Sequence, residues 1–96
     1  MKITPSNILC HELIGLKVRV QQYTDPGLVG LTGVVVDETL KTLVIERPDG
    51  KKVRIFKANS VLVFKIPGDI EVSVMGIDLM GRPWDRLKKN IKKCWV

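Results

Sequence analysis

Side chains that could perform covalent chemistry are few in this chain of 96 residues. Cys10 and His11 place a nucleophile next to a base, but consecutive residues of a helix point about 100° apart and do not meet. The sequence contains no HExxH motif and no His-carboxylate pattern typical of a metal centre. We therefore predict no catalytic residue and no bound cofactor in this chain.

The cysteines argue against zinc chemistry. Cys10 and Cys94 lie at opposite ends of the sequence, without a CxxC motif. A single disulfide between them is an alternative. Because the sequence shows no signal peptide and no long apolar segment, we expect the protein in the cytoplasm, where thiols stay reduced. We expect free cysteines, no metal site and no membrane association. Asp37 and Glu38 form an adjacent acidic pair, which is more typical of a solvated loop or a lysine partner than of a metal site.

The basic residues are concentrated at the C-terminus. The net charge is +6, and residues 82–96 contain six Lys or Arg against one acidic residue, Asp85. Such a run is often only a solvated helix face. A basic cluster on a nearly neutral body is also what a nucleic-acid-binding protein presents. Both interpretations remain open from charge alone.

The elements that position these residues are mostly strands. Val18 and Val20 alternate with Lys17 and Arg19, which predicts a half-buried strand. Similar runs at about 31–38, 42–47, 52–57, 61–66 and 70–74 are separated by short polar breaks or by turns with Pro and Gly, which is typical of a small barrel or sandwich. At this length we favour one domain, residues 1–96, with a barrel over about 16–76.

The segment from Gly27 to Ile45 predicts a bent strand followed by a hairpin. Gly27, Gly30 and Gly33 precede a β-branched run, and glycines permit a bulge or sharp bend there. A phosphate-binding loop is the alternative, but no GKS or GKT follows and the spacing is not GxGxxG.

Helices are predicted at both ends. Thr4 and Pro5 are suited to the start of a helix over about 5–14. A second helix over 82–95 has Pro83 in its first turn and carries an apolar seam that either packs on the barrel or awaits a partner or RNA. The seam residues are Trp84, Leu87, Ile91 and Trp95.

A resemblance to a known family is carried by GLTGVVVDETLKTLVI, DGKKVRIFK, VLVFKI, VSVMGIDL and RPWDR. The chain resembles the archaeal ribonuclease P protein component 1 family, whose eukaryotic relatives are Sm-like subunits shared by ribonuclease P and the MRP particle. The most specific parts are the turn with Glu38, Thr39 and Thr42, and the pair Arg82 and Arg86 around Pro83.

The resemblance implies an Sm-like or SH3-like antiparallel barrel of about six strands with short terminal helices. It also implies a non-catalytic, RNA-binding subunit of ribonuclease P, the endonuclease that removes the 5′ leader from precursor tRNA. The RNA would be the catalyst and would use Mg²⁺. The expected partners are ribonuclease P RNA, precursor tRNA and other protein subunits, especially a zinc-ribbon subunit.

The candidate sites follow from charge and resemblance together. The RNA-binding candidates are Arg82, Arg86, Lys88, Lys89, Lys92 and Lys93, with Lys17, Arg19, Lys57 and Lys65 as weaker candidates. For Glu38, Thr39 and Thr42 we weigh an RNA contact equally against local turn chemistry. For Ile8, Leu9 and Leu13 we predict docking of the partner subunit, and the alternative is a plug at one end of the barrel. The competing function is an SH3-like protein-interaction module without an RNA role.

Overall fold

The computed structural model describes residues 2–94 and consists of six strands followed by one helix. The strands are β1 Lys17–Tyr23, β2 Thr32–Glu38, β3 Thr42–Glu46, β4 Lys52–Phe56, β5 Ser60–Ile66 and β6 Ile70–Met75, and the helix is α1 Pro83–Cys94. Short 3₁₀ turns lie at Ile8–Cys10, Pro26–Leu28, Lys57–Asn59 and Gly76–Leu79. The predicted strands and C-terminal helix are confirmed, with ends shifted by one or two residues.

All six strands form one antiparallel sheet in the order β4-β3-β2-β1-β5-β6. Alternation in β1 buries Val18 and Val20 on the inner face and leaves Lys17 and Arg19 on the outer face, because successive strand side chains point to opposite sides. The inner face encloses one apolar core, made of Ile3, Ile8, Leu13, Val18, Val20, Val35, Leu43, Ile45, Ile55, Leu62, Phe64, Ile66, Val74 and Leu79.

The sheet bends at two irregularities, between Val20 and Gln22 in β1 and between Val35 and Asp37 in β2. The bend predicted at the glycines therefore lies just beyond Gly33. That glycine has a different role, since a Cβ there would overlap the carbonyl oxygen of Glu46 on β3. Its missing side chain lets β2 and β3 approach closely.

The outer strands come together through the turns that follow them. Lys57–Asn59 after β4 packs against Gly76–Leu79 after β6. A Cβ on Gly76 would overlap the carbonyl oxygen of Lys57 and the hydroxyl of Ser60. The amide of Phe56 donates to the Tyr23 hydroxyl at 2.9 Å, which ties the ends of β4 and β1. These contacts curl the sheet and confirm the predicted barrel-like, mainly β fold.

The predicted N-terminal helix over 5–14 is wrong, because only the 3₁₀ turn Ile8–Cys10 forms there. The side chain of Asn7 accepts a hydrogen bond from the amide of Thr4 at 2.7 Å and donates to the carbonyl of Lys2 at 2.7 Å. Such side-chain bonds offer the backbone an alternative to helix. The rest of the segment consists mainly of turns and bends, and it places Ile8 and Leu13 in the core.

The expectation of free cysteines is also wrong. Cys10 and Cys94 form a disulfide, with Cα atoms 6.5 Å apart across a sequence separation of 84 residues. Their approach follows from the packing of the Ile8–Cys10 turn on α1. Sequence spacing alone did not place the two ends of the chain side by side.

The helix α1 turns a different face inward from the predicted apolar seam. Trp84 is 64% exposed and Ile91 is 49% exposed, whereas Arg86 and Asn90 are buried. Trp95 lies outside the described residues. Hydrogen bonding of the buried polar side chains, described below, determines this orientation. Among the described residues, no helix is both long and apolar enough to span a bilayer.

Candidate nucleic-acid interface

A buried carboxylate lies at the end of β2. The side chain of Glu38, the last residue of the strand, is almost wholly enclosed. Its Oε1 accepts a hydrogen bond from Nη2 of Arg86 at 2.8 Å, and its Oε2 accepts one from Nε of Arg86 at 3.1 Å. Oε2 also accepts from Nζ of Lys57 at 2.8 Å. One carboxylate therefore serves two buried cations.

The ammonium of Lys57 is fully hydrogen-bonded. Besides Glu38, it donates to the carbonyl oxygens of Thr39 and Gly81, each at 2.8 Å, which uses all three of its protons. Burial lowers the pKa of Lys57; the hydrogen bond and charge of Glu38 oppose this shift, and the charge of Arg86 adds to it. Lys57 has no exposed surface, so the prediction that it contacts RNA is wrong for this fold.

Arg86 joins three parts of the chain. From α1 it reaches Glu38 on β2, while its Nη1 donates to the carbonyl oxygens of Leu9 at 2.6 Å and His11 at 3.0 Å. Its planar guanidinium suits this forked arrangement. Arg86 is fully buried, so its prediction as an RNA contact is also wrong. It holds the helix on the barrel and the N-terminal segment instead.

The turn between β2 and β3 is closed by its own threonines. The hydroxyls of Thr39 and Thr42 lie 2.6 Å apart. The Thr39 hydroxyl also accepts a hydrogen bond from the backbone amide of Thr42 at 3.1 Å. The amide of Thr39 donates to the carbonyl of Thr42 at 3.0 Å. The geometry gives Glu38, Thr39 and Thr42 structural partners, as the turn-chemistry alternative expects. Their contact with RNA stays a prediction.

The residues predicted to bind a partner are mostly internal. Ile8 is 2% exposed and Leu13 has no exposed surface, and both belong to the core, while Leu9 is half-buried against it. The prediction that they form a free docking face is therefore wrong, because the short barrel needs these side chains to complete its own core. Their position agrees with the plug alternative.

With Arg86 turned inward, α1 presents a basic outer surface. Its exposed cations are Arg82 just before the helix and Lys88, Lys89 and Lys92 within it; the side chain of Lys93 lies outside the part of the chain that the structure describes. Within residues 2–94, none of these four exposed cations forms an ion pair. Nζ of Lys88 lies 5.9 Å from the centre of the exposed Trp84 ring. We define these four cations and Trp84 as the basic helix surface.

The three remaining weaker candidates lie away from α1, on the outer face of the sheet. Lys17, Arg19 and Lys65 are all exposed there. Arg19 lies 3.6 Å from the carboxylate of Glu71, and Lys65 lies 3.3 Å from that of Asp69. In the part of the chain that the structure describes, no three His, Cys, Asp or Glu side chains gather as a metal site.

The sequence analysis missed the burial of Lys57 and Arg86 against Glu38, although two patterns in the sequence indicated it. The alternation in β4 that turns the half-buried Val53 and the buried Ile55 inward continues to Lys57. Arg86, Asn90 and Cys94 recur every four residues and so share one face of α1. A charged residue in register with buried positions indicates a buried ion pair.

The chain is similar over most of its length to proteins of one family. Residues 6–89 match the family described as Ribonuclease P/MRP, subunit p29. The Ribonuclease P protein component 1 of Desulfurococcus amylolyticus is 61% identical over 88 residues, covering 92% of this chain and 96% of its own. That of Staphylothermus marinus is 49% identical over 92 residues, covering 96% of this chain and 100% of its own. The solved structure of Mth11, a homologue of human RNase P protein Rpp29, is 41% identical with a TM-score of 0.59, covering 79% of this chain and 97% of that one.

Proposed function

This chain belongs to the ribonuclease P/MRP subunit p29 family, and on that premise we propose that it is an RNA-binding protein subunit of ribonuclease P. It supports endonucleolytic removal of the 5′ leader from precursor tRNA. The RNA of the particle carries the catalysis, with Mg²⁺ held by that RNA and its substrate, and this chain contributes no catalytic group.

The observation that carries the proposal is the basic helix surface. Its cations are exposed and, within the described residues, free of acidic partners, so phosphates can replace their counterions without first breaking ion pairs. The Arg86–Glu38 pair holds α1 in one orientation. A fixed array of cations can neutralise phosphates where RNA segments pack together, which lowers the Mg²⁺ concentration that folding of the RNA requires.

A zinc-ribbon subunit of the same particle is the proposed protein partner, and any zinc belongs to it. Because Ile8 and Leu13 are internal, the contact has to use other residues. Trp84 and Ile91 are the large exposed apolar side chains that α1 offers. In this proposal the protein works in the cytoplasm, where the tRNA precursors of an archaeal cell are processed.

The proposal is tested by titrating the full chain against ribonuclease P RNA and against an unrelated structured RNA at two salt concentrations. We expect tighter binding to ribonuclease P RNA at both, with affinity falling as salt rises. Addition of the protein to a reconstituted particle should lower the Mg²⁺ needed to cleave precursor tRNA. Equal affinity for both RNAs together with an unchanged Mg²⁺ requirement would overturn the proposal.

A further inference from the structure

A basin of about 290 Å³ opens on the outer face of the sheet, between β1, β2 and β5. Val63 is buried and Val34 half-buried, so these two short side chains form its floor. The long, exposed side chains of Lys17, Arg19 and Lys65 rise around them. The basin therefore combines an apolar floor with a cationic rim.

The strand register places two lysines of the basin side by side. Lys17 on β1 lies directly opposite Lys65 on β5, and directly opposed side chains of adjacent antiparallel strands share a face. Like charges in that position destabilise a sheet. Lys65 is offset by Asp69, but Lys17 has no ion-pair partner within residues 2–94. An anion placed between the two lysines would relieve this repulsion.

A carboxylate also lines the basin. Glu71 on β6 lies directly opposite Lys65 in the register, but within residues 2–94 its carboxylate pairs with Arg19, at 3.6 Å, and not with Lys65. It therefore offsets the charge of Arg19 and not that of the two lysines. The planar guanidinium of Arg19, next to the floor residue Val63 in the register, is suited to stacking on a flat ring. The basin thus combines two lysines suited to an anion with an arginine and an apolar floor suited to a planar group.

We propose that this basin binds one unpaired nucleotide of RNA, with its base over Val34 and Val63 and its phosphate between Lys17 and Lys65. This inference rests on the proposed function in RNA binding. A volume of about 290 Å³ is at the small end of ligand sites, which run from about 300 to about 1,000 Å³. It therefore suits a single splayed-out nucleotide, which is how single-stranded RNA is usually recognised.

The first test follows backbone amide signals of the isotopically labelled full chain by NMR. AMP, CMP, GMP and UMP are titrated separately, with inorganic phosphate as the control. We expect phosphate to shift signals of Lys17 and Lys65 alone, and at least one nucleotide to shift those of Val34 and Val63 as well. If all four nucleotides act as phosphate does, the site binds an anion only and the proposal is overturned.

The second test measures binding of ribonuclease P RNA by the variant Lys17→Gln/Lys65→Gln. Its matched control is Lys51→Gln/Lys52→Gln, which removes two exposed lysines outside the basin. The basin variant should weaken binding and flatten the dependence of log K on log salt by about 0.7 for each phosphate of unpaired RNA that the lysines neutralise. Identical behaviour of the two variants overturns the basin proposal, whereas failure of the wild-type chain to bind the RNA would instead overturn the proposed function.

Discussion

Arg86 and Glu38 face each other inside the protein, joined by two hydrogen bonds of 2.8 Å and 3.1 Å. They are 48 residues apart in sequence, and the pair connects the C-terminal helix to the end of β2. A forked guanidinium-carboxylate contact fixes orientation as well as distance. Since the pair turns Arg86 inward, it also determines which lysines of α1 face outward.

Loss of the Glu38 charge should destabilise the fold. Glu38→Gln leaves Arg86 and Lys57 buried without a counter-ion, and removing one member of a buried pair costs about 3 to 5 kcal/mol. Urea unfolding measures the change in unfolding free energy. The control is Glu46→Gln, which removes a carboxylate that forms no ion pair within the described residues. An unchanged unfolding free energy combined with weaker assembly would instead show that Glu38 acts on RNA.

Lys57 should make stability rise with pH on the alkaline side. Burial lowers the pKa of Lys57 in the folded state below its ordinary value of 10.5, which applies to the unfolded chain. Between these two pKa values the unfolded chain binds more protons than the folded one, so the unfolding free energy increases with pH. The increase is at most about 1.4 kcal/mol per pH unit. Urea unfolding of the wild type and of Lys57→Met across this range isolates the effect, because the variant should lack that part of the slope. Parallel pH profiles would contradict the assignment.

The basic helix surface should supply much of the salt dependence of RNA binding. Replacing Lys88, Lys89 and Lys92 by Gln should reduce the slope of log K against log salt by up to about 0.9 for each phosphate that these lysines neutralise in the wild type. The matched control replaces Lys41, Lys51 and Lys52 by Gln; these lysines are also exposed but lie outside α1. Equal slopes for the two triple variants would remove α1 as the main RNA-binding element.

The disulfide should stabilise the chain measurably. Cys10 and Cys94 close a loop spanning a sequence separation of 84 residues, and removal of such a link costs about 2 to 5 kcal/mol, mainly because the unfolded chain regains freedom. We expect reductant to lower the thermal midpoint of the wild type. The variant Cys10→Ser/Cys94→Ser should show the lower midpoint with or without reductant. A wild type indifferent to reductant would contradict this expectation.

Closure of the barrel should depend on the absence of a side chain at Gly76. Gly76→Ala places a Cβ against the carbonyl oxygen of Lys57 and the hydroxyl of Ser60, and such overpacking typically costs about 1 to 3 kcal/mol. Gly27→Ala is the control, since its Cβ would meet only the Asp25 carboxylate, at 3.2 Å. Chemical unfolding compares the two variants. Equal stability would show that the packing between the turns can relax freely.

Local patterns in the sequence were sufficient to identify the strands and the basic C-terminal helix. Alternation of Val18 and Val20 with Lys17 and Arg19 predicted β1 correctly, because the two faces of a strand meet different environments. The same reasoning failed at the N-terminus. There the helix signal of Thr4 and Pro5 competed with side-chain bonds of Asn7 and with burial of Leu13 in the core, and a short helix has little stability of its own.

By itself, then, the sequence determined the number of strands and their positions along the chain, the charge of the C-terminal end and the resemblance to a ribonuclease P subunit family. Only the tertiary structure decided that Arg86 and Lys57 turn inward to Glu38, that Cys10 meets Cys94, and that Lys17 lies opposite Lys65. The physical reason is that helix and strand periodicity report which residues share a face of one element. Which faces meet depends on long-range packing. In this protein the face of α1 that contains Arg86 packs against the barrel, and Trp84 and Ile91 of the apolar seam stay exposed.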